Sequence, residues 1–136
     1  MICDKDDVNK LLWLQQAVHF VQSNLTYFVN IKPVILFLKK LLSNYGLLDT
    51  YVGGLNSYSI MIMLVCVASQ MISVNTPPTS ADYLKEFLNC YKTIETFRNF
   101  VITKNGFVER KQNEDVSVFF VQDPNDPSNN TSKSCF

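Results

Sequence analysis

The sequence has only one histidine and no pair of cysteines spaced to bind a metal. Its four cysteines, Cys3, Cys66, Cys90 and Cys135, are far apart, and none belongs to a CxxC motif. Structural zinc sites need clustered Cys and His ligands, so no metal site is predicted. Cys66 and Cys90 fall in helical patterns, where a free thiol acts as a small apolar side chain. A reducing compartment fits this cysteine usage best.

Net charge and long apolar runs are also missing. Twelve basic and twelve acidic residues balance, so the totals give no sign of a basic nucleic-acid clamp, although local patches stay possible. The longest apolar run, Ile60–Ala68, is much shorter than the roughly 20 residues of a membrane span. No signal-peptide pattern stands at the N-terminus. With 47% hydrophobic residues in 136, we predict one soluble, intracellular globular domain without membrane association.

Residues for acid–base or metal catalysis are scarce as well. His19 is alone in a helical pattern, which favours a structural or surface role. Asp123 follows the predicted strand Val116–Val121, but no D-x-D pair stands beside it to help hold a metal. We therefore predict no catalytic residue and no metal ligand in this chain.

What the sequence does contain is helical periodicity. The second helix is predicted to begin at Pro33, to end at the left-handed cap Gly46, and to be mostly buried because it is apolar on nearly all sides. The fourth helix follows a T-x-x-D cap of Thr79 and Asp82. The segments with apolar residues at helical spacing are Val8–Gln22, Pro33–Tyr45, about Ser57–Ile72, and the segment from Leu84 to Ile94.

Strand signals appear only near the end of the chain. Phe100–Thr103 and Phe107–Val108 flank the turn signal Asn105-Gly106, which predicts a hairpin. Val116–Val121 is the clearest strand pattern, and the tail from Asp123 is rich in turn-forming residues. The fold class predicted is mainly α with a small β element (α+β).

The segment Gly53–Ser59 (GGLNSYS) opens the third helix with two glycines and three hydroxyl side chains. Glycines let backbone N–H groups approach a ligand, and a helix N-terminus attracts phosphate. Ser57 adds a hydroxyl donor, and Tyr58 a ring on which a base can stack. The alternative is a plain turn with a serine N-cap and a half-buried Tyr58, which residue chemistry alone favours. Both interpretations remain open at this point.

Two interpretations, ligand binding or no ligand, also apply to several lysines and asparagines. Lys39 and Lys40 can extend to solvent, or reach a phosphate. In the tail, Asn129 and Asn130 could contact base edges and Lys133 a phosphate, or the tail could bind nothing. From residue types alone, the favoured interpretation is that both lysines extend to solvent and that the tail binds nothing.

Two motifs in order resemble one family. Lys32–Ser69 (KPVILFLKKLLSNYGLLDTYVGGLNSYSIMIMLVCVAS) resembles the central domain of non-canonical poly(A) polymerases and terminal uridylyltransferases, in which a lysine-bearing helix leads to GG-L-x-SY-S. Asp123–Ser134 (DPNDPSNNTSKS) resembles that family's nucleotide recognition motif. The resemblance covers about Leu25–Phe136. It implies an N-terminal helical segment 1–24, a PAP-associated central domain 25–122 and a recognition loop 123–136.

The resemblance also implies a function and its residues. The chain would be the central domain of a template-independent RNA nucleotidyltransferase, which binds ATP or UTP and the RNA 3′ end. Tyr58 would stack on the base, while Lys40 has no counterpart in the family and keeps its solvent interpretation. The nucleotide-binding residues would be Lys39, Gly54, Ser57, Tyr58, Asn129, Asn130 and Lys133.

The sequence departs from the family pattern at several places. Ser43 stands where some relatives carry a second lysine, and Ser132 where a glycine is common, which predicts a tighter loop. The family's catalytic pattern of a G-S turn followed by a D-x-D pair is not found, so this chain alone is expected to be inactive, with Mg²⁺ held by a separate catalytic palm domain. The D-P-x-x-P-x-N-N form is closest to the nuclear, adenylating branch, so the nucleus is favoured over the cytoplasm. The alternatives are a non-catalytic helical interaction module and a truncated fragment.

Overall fold

The computed structural model describes residues 5–46, 56–71, 76–111 and 119–132. Helices dominate these ranges, and two antiparallel two-stranded sheets complete them, so the predicted mainly α fold with a small β element is confirmed. No helix within them is both long and apolar enough to cross a bilayer. The elements are α1 (Lys5–Tyr27), α2 (Lys32–Asn44), α3 (Ser57–Gln70), α4 (Ser80–Tyr91), α5 (Ile94–Asn99), β1 (Phe100–Thr103), β2 (Gly106–Glu109), β3 (Gln122–Asp123) and β4 (Asp126–Asn130).

Helix α3 is the centre of the fold. Every residue from Ser59 to Ala68 is buried, which is expected of a helix that is apolar on all sides. It packs against α1, α2, α4 and the β1–β2 hairpin, and its side chains form most of the core. The GGLNSYS motif therefore ends at Ser59, where the fully buried part of α3 begins.

Helix α2 buries only one face. Proline stands in its first turn, and Gly46 ends it with φ +71°, as predicted. Val34, Ile35 and Leu38 are buried, but Leu36 and Phe37 are 56% and 50% exposed. The prediction that most of α2 is buried was therefore wrong. Its second apolar face has no covering element among the described residues.

Helix α4 begins with the predicted capping box. Thr79 Oγ1 accepts the N–H of Asp82 at 3.2 Å, and the Asp82 carboxylate accepts the N–H of Thr79 at 2.9 Å. These hydrogen bonds, the one to the Thr79 N–H first, lower the pKa of Asp82 below its ordinary value of 3.8. A carboxylate with a lowered pKa stabilises the fold above pH 3.8, and this contribution is lost as pH falls through the lowered value.

Substituting Thr79→Ala is expected to lower the free energy of unfolding by about 1 kcal/mol, because the α4 N-terminus loses its hydroxyl acceptor. Chemical denaturation measures this change. Thr93→Ala is the matched control, since Thr93 is the N-cap of α5 and makes no side-chain capping bond. A Thr79→Ala effect no larger than that of Thr93→Ala would contradict the capping role.

The predicted continuation of α4 to Ile94 was wrong. The helix ends at Tyr91, and Thr93 has extended backbone angles (φ −123°, ψ 148°) that begin the separate helix α5. The Thr96 hydroxyl donates to the Cys90 carbonyl at 2.6 Å, which stabilises this break. Ile94 is therefore 51% exposed rather than part of the apolar face.

The first hairpin forms as predicted. Strands β1 and β2 pair antiparallel, with Thr103 opposite Gly106. Gly106 has φ +131°, and a Cβ at this position would collide with the Gln70 side-chain amide at the end of α3. The Gln70 side chain is exposed and can move aside, so the positive φ is the feature that favours glycine here.

The tail differs from the prediction of an irregular loop, because β3 and β4 form a second antiparallel hairpin within it. Val121 makes a parallel bridge to Ile102 of the first hairpin, and both are fully buried. Of the predicted strand Val116–Val121, Val121 forms this bridge, residues 119–120 have no regular structure, and residues 116–118 lie outside the described residues. The tail is thus part of the folded body as far as residue 132.

The two described cysteines are free thiols, as predicted. Burial raises the pKa of Cys66 to about 12 and that of Cys90 to about 11. Both thiols therefore stay protonated and unreactive at neutral pH. Cys3 and Cys135 lie outside the described residues.

Candidate functional site

The N-terminus of α3 is joined to the C-terminal hairpin by Asn56. Its Oδ1 accepts the Ser59 N–H at 2.7 Å, and its Nδ2 donates to the Thr131 carbonyl at 2.6 Å. The N-cap is therefore Asn56, and the expected alternative of a serine cap was wrong. The Asn56 side chain therefore both caps α3 and fixes the end of the β3–β4 hairpin against it.

The serines of the motif have different environments. Ser59 is fully buried, and its hydroxyl donates to Thr131 Oγ1 at 2.8 Å, so a ligand cannot reach it and its one donor is already used. Ser57 is exposed in the first turn of α3. The first N–H groups of a helix have no partner within it and carry the positive end of the helix dipole. Ser57 therefore stands where an anion is favoured.

The buried carboxylate of Asp123 links three parts of the chain. Its Oδ2 accepts Trp13 Nε1–H at 2.6 Å and Asn129 Nδ2–H at 3.1 Å. Its Oδ1 accepts the Asn125 N–H at 2.9 Å and the Tyr58 hydroxyl at 3.4 Å. Asp123 has no exposed surface, so these donors replace the water that a buried charge has lost. The carboxylate thus holds α1, α3 and the β3–β4 hairpin together.

Tyr58 is half-buried beside this carboxylate. Its ring makes edge-to-face contacts with Trp13, at a centroid distance of 5.5 Å, and with Phe20, at 6.0 Å. Burial first, and then the charge of Asp123, raise the pKa of Tyr58 well above its ordinary range. The phenol therefore remains protonated and donates to Asp123, which fixes the position of the ring.

A cavity of about 370 Å³ lies beside Tyr58, and we call it the Tyr58 pocket. It joins the start of α3 to the end of the recognition loop, so Tyr58, Asn129 and Asn130 meet although they are distant in the chain. Its volume is within the range of small-molecule sites. Its lining residues are Trp13, Asn56, Tyr58, Asn129, Asn130 and Thr131.

The two asparagines of the loop have different tasks. Asn130 Nδ2 donates to the Phe119 carbonyl at 2.6 Å, and its Oδ1 accepts the N–H groups of Val121 and Ser132 and the Ser132 hydroxyl. This side chain stabilises the loop itself. Asn129 donates to Asp123, and its carbonyl oxygen has no partner among the described residues. Of the pair, Asn129 is the one with an acceptor left for a ligand.

A second, apolar cavity of about 400 Å³ lies between α1, α2 and α3, and we call it the α1–α2 groove. Lys39 and Ser57 line it, and Tyr58 and Trp13 line both this groove and the Tyr58 pocket. Lys39 and Ser57 thus line a different cavity from the asparagines, and Tyr58 belongs to both cavities. Lys40 is exposed and lines neither cavity.

Some expected site residues are not described, and others were missed. Gly54 and Lys133 lie outside the described ranges. Sequence reasoning missed Trp13 and Asn56, and considered Asp123 only as a metal ligand. The available signal was that Trp13 is the only tryptophan and stands on the helical stripe that continues to Phe20.

Metal-binding groups are not found in the described ranges, where no three His, Cys, Asp or Glu side chains come together. His19 is exposed, with Nε2 3.4 Å from Ser23 Oγ, in agreement with a surface role. The chain matches no family model, no curated protein and no solved structure. A function must therefore be inferred from the site geometry and the sequence motifs.

Proposed function

We propose that this chain is the central domain of a template-independent RNA nucleotidyltransferase, and that it binds the incoming ATP or UTP and the RNA 3′ end. The observation that carries the proposal is the Tyr58 pocket. In it, the tyrosine of the SY motif and the asparagines of the DP-containing tail line a single cavity, joined by Asp123. An unrelated turn and an unrelated tail would have no reason to meet.

The base of the nucleotide is assigned to the Tyr58 pocket. Tyr58 provides a ring for stacking, and its hydroxyl is already paired with Asp123, so the ring does not need to reorient when a base arrives. Asn129 offers a carbonyl oxygen that can accept a hydrogen bond from a base amino group. Asn130 contributes indirectly, because it holds the loop in shape.

The triphosphate is assigned to the other cavity that Tyr58 lines. There Lys39 supplies a positive charge, and Ser57 supplies a hydroxyl at the N-terminal end of α3. Both residues are exposed and line the α1–α2 groove beside the Tyr58 ring. Gly54 and Lys133, suggested by the motifs, would extend this site from outside the described residues.

The role of the domain would be orientation rather than proton transfer. Holding the base and the phosphates fixes the α-phosphate for attack by an RNA 3′-hydroxyl. The described residues offer no ligand set for Mg²⁺, so the metals would belong to a catalytic palm domain. The exposed apolar faces of α1 and α2 support the presence of such a covering partner. A nuclear location of the parent enzyme is part of the same proposal.

A second candidate is a helical interaction module that keeps the fold but binds no nucleotide. The α1–α2 groove favours it, because Leu14, Val18 and Leu36 at its edge are each about half exposed. Such a module would bind a partner through this groove and would leave the Tyr58 pocket unused.

Trp13 provides a direct test, since the only tryptophan lines the Tyr58 pocket. Titration with ATP or UTP is expected to change tryptophan fluorescence saturably. Tyr58→Ala should weaken binding at least about fivefold, because a stacked base contributes about 1–3 kcal/mol. Tyr58→Phe keeps the ring and should bind within about threefold of the wild type.

Lysine variants complete this experiment. Lys39→Gln should weaken binding several-fold through the loss of a phosphate contact, whereas Lys40→Gln is the matched control and should have no effect. Thermal melts of each variant check that it is folded. No saturable signal at millimolar nucleotide, or equal binding by Tyr58→Ala and wild type, would exclude the nucleotide site and leave the interaction module.

A further inference from the structure

The largest cavity described lies away from the Tyr58 pocket, between one face of α1 and the turns of both hairpins. We call it the His19 cavity, and its volume is about 560 Å³. Gln16, His19 and Tyr27 line it from α1, Lys104 and Asn105 from the β1–β2 turn, and Asn125 from the β3–β4 turn. Cavities of 300–1,000 Å³ accept ligands of nucleotide size.

Lys104 gives this cavity its charge. The described residues that line it include no carboxylate, and Lys104 is the one lysine or arginine among them. Lys104 makes no hydrogen bond or ion pair with any residue that the structure describes. An anionic group would therefore find an ammonium without an ion-pair partner among the described residues, and the carboxylate of Asp123, which accepts the N–H of the lining residue Asn125, is fully buried.

Unpaired amides line the same space. The side chains of Gln16 and Asn105 have no hydrogen-bond partner in the described part of the chain. Each amide presents two donors and one acceptor oxygen, the combination that pairs with the polar edge of a heterocycle. Both side chains are exposed, so their amides are accessible to a ligand.

Tyr27 supplies a flat surface at the end of the cavity. Its ring is fixed by an edge-to-face contact with Phe28 at 4.8 Å and 82°, and Phe28 is itself buried. Tyr27 nevertheless remains 69% exposed, so the ring has a free surface on which a planar group can stack.

We propose that the His19 cavity binds a nucleotide unit, with its heterocycle on Tyr27 and its phosphate at Lys104. A free nucleoside monophosphate and one residue of single-stranded RNA share this chemistry. The proposal goes beyond the function proposed above and does not depend on it. Phe20 separates the two sites, because it lines the His19 cavity and contacts the Tyr58 ring.

The test is an NMR titration of the whole labelled chain with adenosine 5′-monophosphate. Shifts are expected at Tyr27, Lys104 and Asn105. Tyr27→Ala and Lys104→Gln should each weaken binding at least about fivefold. The matched controls are Tyr45→Ala, at an equally exposed ring (74%), and Lys85→Gln, at an exposed lysine; neither residue lines the cavity, and both variants should bind within twofold of wild type.

Further ligands show whether the bound unit comes from a free nucleotide or from RNA. Adenosine and inorganic phosphate should each bind more weakly than the monophosphate. A five-nucleotide RNA that binds more tightly identifies RNA as the source, and weaker binding identifies the free nucleotide. The proposal would be overturned by shifts confined to the Tyr58 pocket, by no shifts at all, or by Tyr27→Ala and Lys104→Gln variants that bind as tightly as the wild type. Tyr58→Ala should leave this binding intact, so the two sites fail independently.

Discussion

Replacing Asp123 with alanine is expected to lower the free energy of unfolding by about 3–5 kcal/mol. The substitution removes the acceptor for Trp13, Asn129 and Tyr58 together, and a buried donor without a partner costs about 1–3 kcal/mol. For a chain of this size, the melting temperature should fall by roughly 10 °C. Trp13 emission should also shift to longer wavelength, because the indole N–H would then need water.

Asp126→Ala is the matched control for this experiment. Asp126 is exposed and accepts only the N–H and hydroxyl of Ser128 within its own turn, so its loss should cost no more than about 1 kcal/mol. Asp123→Asn keeps the shape of the side chain but brings two donors towards existing donors, and should fall between the two. Equal unfolding energies for Asp123→Ala and Asp126→Ala would contradict the linking role of Asp123.

Leu38→Ala is expected to lower the free energy of unfolding by about 2–5 kcal/mol, because it leaves a cavity where α2 packs in the core. Leu38 is 2% exposed. Leu36 lies on the same helix and is 56% exposed, so Leu36→Ala should change the unfolding energy by less than about 0.5 kcal/mol. Urea denaturation of the two variants measures the difference.

The pair of leucines also tests the exposed face of α2. If Leu36→Ala were as destabilising as Leu38→Ala, the α1–α2 groove would have to be covered in solution. If neither variant changed stability by more than 1 kcal/mol, α2 would not be packed as described. If the stability of the wild type depended on protein concentration and that of Leu36→Ala did not, a second copy of the chain would be what covers this face.

Local patterns predicted most elements of this fold, because each carried its own signals. Pro33 and Gly46 marked the ends of α2, Thr79 and Asp82 the start of α4, and Asn105-Gly106 the first hairpin. These signals act over a few residues through backbone geometry and capping. They therefore survive in the sequence whatever the tertiary contacts are.

It was harder to predict which residues are buried and which distant residues come into contact. The apolar residues of α2 did not show which face would be covered, since Leu36 and Leu38 are chemically identical. The hairpin in the tail depends on pairing of Val121 with Ile102 rather than on an alternating pattern of its own. The link between Trp13 and Asp123 crosses nearly the whole chain, and no local spacing encodes it.

The contacts of Thr131 with Asn56 and Ser59 have a consequence for synthesis. A ribosome releases Trp13 and Tyr58 well before the segment that carries Asp123 and Thr131. Until that last segment emerges, the indole and phenol donors have no carboxylate to bind, and one wall of the Tyr58 pocket is absent. The proposed ligand binding at this pocket therefore requires the segment that carries Asp123 and Thr131, and a nascent chain that stops before Asp123 should lack it.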